Sequence, residues 1–353
     1  MNRNQLSRIS VKGYRSMEDC DAELKNLNVL IGANGAGKSA FIELFNMLNC
    51  LFDGELQEYV SSHGGPDELL RFGRLVTPQI ELGLFFGKKR YRAVLRPSDD
   101  GRLCFAEERV GSGDDGYLDI GSGHFETRVR EHAPEIASVN CQAFHIIAVG
   151  PGSLIRQPHP IEPCEKLLFD GSNLAPYLYA LKENHYADYA RIVKRMRVIA
   201  PFFDDFYLAP DDGEPEMIRL RWRETGCDVP LGPGTLSDGM IRFACILSIF
   251  RYPKKLRPDI LLIDEPALSL HPRAVEFLYH IIKVVSEYQQ VIVSTQSTEL
   301  LNKFKADAVL VVDRTGGKTS FTRLDEDELE EWLANVSIKE LWASSIIGGQ
   351  PTL

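Results

Sequence analysis

The amino-acid sequence predicts an α/β fold: a mostly parallel core sheet with helices on both faces, an inserted antiparallel β region and a helical lobe. Three observations predict it. A short apolar strand, residues 27–31, runs into Gly32-Ala33-Asn34-Gly35-Ala36-Gly37-Lys38-Ser39. Phe41, Ile42, Leu44, Phe45 and Leu48 then follow at helical spacing. A second apolar run, Ile260 to Ile263, shows no polar alternation, as in a strand covered on both faces. After residue 235, strands alternate with helices, the order that builds parallel sheets.

Composition bounds the classes. The chain has 353 residues, 44% of them hydrophobic, enough for one large domain or two ordinary ones. A net charge of −10 argues against non-specific coating of nucleic acid and leaves room for a local basic patch. Seven cysteines without a C-x-x-C pair read as reduced thiols in a cytoplasmic protein. No apolar run reaches about 18 residues, and the N-terminus lacks a signal-peptide core, so no membrane partner is expected. The eight histidines show no metal-ligand spacing.

In chain order, Leu6, Ile9 and Val11 mark a first strand ending in Gly13-Tyr14-Arg15-Ser16. The helix from Lys38 ends near Cys50, and a short one covers Glu68 to Phe72. Residues 80–109 show three antiparallel strands with tight turns. Residues 111–123 form a glycine- and aspartate-rich surface loop. A strand covers Ala143 to Val149, and two helices broken near Asn184 fill 171–200. Met217 to Arg223 alternates, with Arg219, Arg221 and Arg223 on one face and Ile218, Leu220 and Trp222 on the other, as in one half-buried strand. A helix starts at Ser237, another covers Pro272 to Tyr288, strands cover Val291 to Ser294 and Ala308 to Val312, and an acidic helix covers Glu326 to Leu333. The whole is one head: residues 1–75 and 230–353 form the core, 76–150 the inserted β region and 151–229 the helical, basic lobe.

The chemistry starts at G-x-x-x-x-G-K-S. Gly32, Asn34, Gly35, Ala36 and Gly37 let backbone N–H groups converge on one phosphate, and the helix dipole adds positive potential. Lys38 reaches the β/γ phosphates, and the Ser39 hydroxyl binds Mg²⁺. At the end of the second apolar strand stand Asp264 and Glu265. Asp264 is placed to hold Mg²⁺, directly or through water, and Glu265 to polarise water as general base. Leu236-Ser237-Asp238-Gly239 opens a helix: either a second anion site or an ordinary N-cap at Ser237. Arg191, Lys194, Arg195 and Arg197 with the three strand arginines are either a DNA or RNA patch or a solvated face. Trp332 and Trp342 read as packing anchors, or, where exposed, as a docking point for a partner.

The order of these stretches, with Leu268-Ser269-Leu270-His271-Pro272 and Val291-Ile292-Val293-Ser294-Thr295-Gln296-Ser297 after them, closely resembles the ATP-binding-cassette class of P-loop ATPases. Within it the chain resembles the SMC, RecF and OLD branch, on G-Y-R-S and L-S-D-G-M-x-R-F, over residues 1–75 and 230–315. The resemblance implies two heads pairing face to face around two ATP molecules. It then implies that Ser237 and Gly239 meet the γ-phosphate of the partner's nucleotide and that Ser269 sits at the subunit contact. Arg15 lies near the nucleotide. Gln296 stands where many transporter cassettes carry His; it does not titrate, but it can hydrogen-bond the γ-phosphate or water. A Mg²⁺-sensing Gln at the lobe junction is not evident; Gln142 is near and out of place. A TOPRIM nuclease and the SMC coiled coil are not expected.

The expectation is therefore an ATP- and Mg²⁺-dependent ATPase working as a dimeric or higher-order switch or sensor. By resemblance its setting is bacterial anti-phage defence beside a separate effector such as a nuclease. The alternative is a DNA-repair or recombination ATPase binding DNA ends. A transporter ATPase is disfavoured, because the chain has L-S-D-G rather than L-S-G-G and a longer insertion.

Overall fold

A computed structural model describes residues 5–113, 116–146, 148–162, 164–211 and 213–350. The chain opens with β1 (Arg8–Tyr14), β2 (Met17–Glu23) and β3 (Leu27–Ile31), then α1 (Lys38–Asp53), α2 (Leu56–Ser62) and α3 (Pro66–Leu69). Next come β4 (Ile80–Phe86), β5 (Lys89–Pro97), β6 (Leu103–Ser112) and β7 (Tyr117–Gly121). The short helices α4 (Val129–His132) and α5 (Pro134–Ala137) lead to β8 (Cys141–His145). The middle holds β9 (His159–Pro160), α6 (Leu174–Asn184), α7 (Tyr186–Ile199), β10 (Phe203–Tyr207), β11 (Pro210–Asp211), β12 (Glu214–Ile218) and β13 (Arg221–Glu224). Then follow α8 (Asp238–Ile249), β14 (Ile260–Asp264), α9 (Pro272–Ser286), β15 (Gln290–Ser294), α10 (Thr298–Leu301), β16 (Val309–Thr315), β17 (Lys318–Arg323), α11 (Glu330–Leu333) and α12 (Ile338–Ala343).

The chain divides into two units. The first is Met1–Ala143, Pro258–Leu262 and Ser286–Leu353; the second is Phe144–Arg257 and Ile263–Val285. In the first unit, one sheet has the order β17-β16-β3-β15, continued by residues 260–262 of β14 and 141–143 of β8. β15 and β16 both pair with β3 in parallel, and β17 closes antiparallel on β16. β3, β14 and β15 are buried nearly throughout, which is why their sequences show no alternation. The other sheet is antiparallel, β2-β1-β4-β5-β6-β7. α1 joins the two sheets: Phe41 meets Phe321 of β17 at 4.8 Å between ring centroids, and Phe52 meets Tyr91 of β5 at 5.5 Å. Its apolar face, spaced three and four residues apart, thereby becomes the centre of a single core.

The inserted strands do not stand apart. They extend a sheet that β1 and β2 begin. β2 was not expected: its acidic sequence hides Cys20 and Ala22, two residues apart on one face, and Met17 at its start, all buried where β1 pairs with it. Residues 117–121 of the expected loop form β7 on the edge of the sheet; Asp114 and Asp115 lie outside the described residues. β17 follows a Gly316-Gly317 turn, a hairpin signal present in the sequence.

The second unit packs α6 to α9 with two small antiparallel sheets, β10-β13 and β11-β12-β9. The break near Asn184 falls as expected. The expected strand Met217 to Arg223 is two strands: β12 pairs with β9 and β11, and β13 pairs with β10. The burial alternation survives the break, with Ile218, Leu220 and Trp222 inside. Among the described residues no helix is long and apolar enough to cross a membrane. All seven cysteines are free, and burial pushes the Cys20 thiol up to about 12.

Candidate functional site

In the first unit, β3 ends at Ile31 and α1 begins at Lys38, so residues 32–37 form the turn between them. Gly37 caps α1 at φ 117°, and a β-carbon there would stand 2.5 Å from Thr319 Oγ1. Only glycine fits. Thr319 Oγ1 donates to the Ala36 carbonyl (2.8 Å) and is hydrogen-bonded with the Ser16 hydroxyl (2.9 Å), so β17 and the β1–β2 turn brace the loop. Lys38 is buried and donates to the Gly32 (2.7 Å) and Ala33 (3.0 Å) carbonyls. Its ammonium thus sits inside the loop's own curve, where a phosphate oxygen can take over those donors. Arg314 donates to the Gly35 carbonyl at 3.0 Å. Gln296 donates to Asn34 Oδ1 at 2.5 Å, so these two expected site residues are brought together. Arg15 stands at φ 47°, its amide bonded to the Leu69 carbonyl and its guanidinium over the Tyr14 ring. Its Nε is buried without a hydrogen-bond partner, which leaves a donor for a ligand.

In the second unit, Asp264 ends β14 with a buried side chain. His145, at the end of β8, donates from Nδ1 to Asp264 Oδ2 at 2.8 Å. Glu265 follows at φ 49°, a left-handed conformation that a residue with a β-carbon seldom takes. Such conformations cluster at functional sites. Among the described residues, no group of three His, Cys, Asp or Glu stands ready for a metal. Mg²⁺ does not require one, since it takes one or two protein oxygens and completes its shell with phosphate and water. The Asp264 carboxylate is a donor of that kind.

The L-S-D-G stretch lies in the second unit with the carboxylates. Leu236 is buried and Ser237 is exposed. Ser237 caps α8, its hydroxyl accepting from the Met240 amide at 3.3 Å. Thr235 is held by Trp222, whose Nε1 donates to its hydroxyl at 2.9 Å. Arg242, one turn into α8, is buried and donates to the Ile146 carbonyl; burial lowers its pKa. A cleft of about 540 Å³ opens here, lined by Ser237, Gly239, Ser269 and His271 with Met196 and Phe202.

The basic lobe is largely self-paired. Arg219 and Arg221 both face Asp211 at 3.4 Å, Arg191 pairs with Asp188, and Arg197 pairs with Asp204. Arg195 lies over the Phe277 ring. Sequence reasoning missed Thr319, His145 and Arg242, whose partners are distant in the chain. The polar residue closing each strand at the sheet's end was the available signal for His145.

Two family models match. Residues 168–302 match the family described as "AAA domain, putative AbiEii toxin, Type IV TA system", and residues 5–60 match "AAA ATPase domain". The chain is 24% identical to the OLD nuclease of Thermus scotoductus over 343 residues, covering 88% of this chain and 62% of that protein. It is 37% identical to the DNA replication and repair protein RecF of Vibrio atlanticus over 93 residues, covering 24% of each. It therefore spans less than two thirds of either relative. Among solved structures, an SMC head bound to the C-terminal winged-helix domain of ScpA superposes with a TM-score of 0.60 at 15% identity, covering 92% of this chain and 99% of that one. A Pyrococcus furiosus Smc head with an extended coiled coil, bound to the C-terminal domain of ScpA, gives 0.56 at 14%, covering 93% and 98%. The fold is that of an SMC head, and the sequence likeness runs to OLD and RecF. With a phosphate loop between β3 and α1 in that fold, the chain is similar to ATPase heads of the SMC, RecF and OLD type.

Proposed function

We propose that this head binds ATP with Mg²⁺, hydrolyses it, and uses the cycle to pair with and release a second head, as a switch that gates a separate effector. The observation that carries the reading is the loop from Gly32 to Ser39, where Lys38 already lies on two loop carbonyls and Gly37 starts α1. In it Lys38 neutralises the β/γ phosphates, and Arg15, Asn34 and Gln296 flank them. Ser39 and Asp264 hold Mg²⁺, which supplies charge neutralisation when bound. Glu265 takes a proton from water as its oxygen bonds to the γ-phosphorus, and ADP leaves with the bridging oxygen. The exposed Ser237 and the α8 N-terminus close on the partner head's γ-phosphate.

The effector is proposed to be a nuclease or toxin in bacterial anti-phage defence, in line with the names of the OLD relative and of the matching AAA family. The likeness to RecF supports a second reading, a repair ATPase at DNA ends. The pairing of Arg219 and Arg221 with Asp211 leaves it less support. The test is the ATP hydrolysis rate of the purified protein against its own concentration, with and without duplex DNA. A rate rising with the square of concentration and indifferent to DNA supports the switch. Strong DNA stimulation favours the second reading, and no hydrolysis under any condition overturns both.

A further inference from the structure

Arg156 has no place in the chemistry above, yet it is among the most engaged side chains of the second unit. Its side chain is 8% exposed. It sits at the end of a short 3-10 turn, Leu154–Arg156, braced by Ser153, whose hydroxyl donates to the Gly150 carbonyl at 2.6 Å. Arg156 Nε donates to the Val149 carbonyl at 2.7 Å, closing its own loop. Nη1 donates to the Pro233 carbonyl and, at 3.1 Å, to that of Leu236. Nη2 donates to Asp238 Oδ1 at 2.6 Å. The planar fork thus grips both sides of Ser237: the carbonyl before it and the carboxylate after it. A lysine has the charge but not the fixed geometry.

The arrangement accounts for the Asp in L-S-D-G. Asp238 is the acceptor that completes the grip, and Gly150 lies against it, its β-carbon position 3.9 Å from Asp238 Oδ2. Ser237 itself is left exposed, with its hydroxyl on the α8 cap.

We propose that Arg156 is a positioning residue: it fixes residues 233–238 so that Ser237 and the first amides of α8 are presented to the partner head's nucleotide. The inference rests on the paired-head reading. All three guanidinium nitrogens of Arg156 are engaged by the protein's own oxygens, so its loss should leave the binding of ATP to a single head unchanged and slow turnover.

The experiment compares Arg156→Lys, Asp238→Ala and the double variant, reading ATP affinity by calorimetry and kcat by phosphate release. The expected result for Arg156→Lys is a kcat lower by about 10-fold or more, as for loss of a charge-assisted bond, with affinity unchanged. Asp238→Ala should lower kcat less, and the double variant should be no worse than Arg156→Lys, because the two act through one contact. Independent, multiplying losses, or a fall in ATP affinity matching the fall in kcat, would overturn the proposal. If Arg156→Lys does not fold, Asp238→Ala decides alone, since that side chain is 47% exposed and tolerates replacement; wild-type kcat in it sinks the proposal. Wild-type hydrolysis strictly linear in protein concentration would remove the paired-head reading and this inference with it. Quadratic dependence with an unaffected Arg156→Lys removes the inference alone.

Discussion

The carbonyl oxygen of Ser269 stands 2.6 Å from where a β-carbon on Gly239 would be. Ser269 holds that carbonyl in place from a left-handed backbone, φ 60°, in the loop that follows Asp264 and Glu265. The start of α8 and the loop after the carboxylates therefore meet without any intervening side chain.

Gly239→Ala should force the two apart. The obstructing atom is backbone, so a destabilisation of roughly 1–3 kcal/mol is expected, as for overpacking. Gly234→Ala is the control: nothing lies within 4 Å of its β-carbon position, and it should be near neutral. Urea midpoints at constant m-value measure both. Equal midpoints for the two variants would mean that the contact yields freely.

Lys38→Ala should abolish tight nucleotide binding, because it removes the cation that Gly32 and Ala33 hold in the loop. A loss of roughly 100-fold is expected for two charge-assisted contacts. Unchanged affinity by titration calorimetry would place the nucleotide elsewhere.

Glu265→Gln should keep ATP binding and slow hydrolysis by about 10²–10⁴, the usual contribution of a general base. Gln keeps the size of the side chain in the left-handed turn at φ 49°, so folding is expected to be intact. Wild-type turnover in single-cycle kinetics would remove Glu265 from the base role.

Ser237→Arg should stop hydrolysis and leave the ATP affinity of one head nearly intact. It also deletes the α8 cap, a stability loss of about 0.5–2 kcal/mol seen in the thermal midpoint. An affinity loss equal to that of Lys38→Ala would mean that Ser237 serves its own head's nucleotide.

Glu108→Ala tests the inserted sheet. Glu108 is fully buried and accepts from Tyr91 Oη (2.8 Å), His124 Nε2 (2.9 Å), the Arg128 amide (3.0 Å) and the Thr127 hydroxyl. Its loss strands these donors, so a destabilisation of roughly 3–5 kcal/mol is expected from denaturant titration. A change under about 1 kcal/mol would show that water enters and satisfies them.

Some of this protein is determined by neighbours in the chain. The loop from Gly32 to Ser39, the face of α1, the run Ile260 to Asp264 and the break at Asn184 each express a local rule: glycine where the backbone must curl, apolar residues three and four apart, continuous apolar residues in a doubly covered strand. Those rules were enough to place the phosphate loop and the two carboxylates on their elements. Residues 217–223 show the limit. Their period-two burial was legible, but the break into β12 and β13 was not, because the choice of partner strand is made by β9, β11 and β10. The acidic β2 is a strand only because β1 offers it an edge. His145 beside Asp264, Arg156 around Ser237 and Glu108 at the centre of four donors are tertiary decisions of the same kind. A buried charge must find its partners wherever the fold brings them, and for Asp264, Arg156 and Glu108 the fold brings them from far along the chain or from opposing strands. Spacing along a sequence carries no record of that.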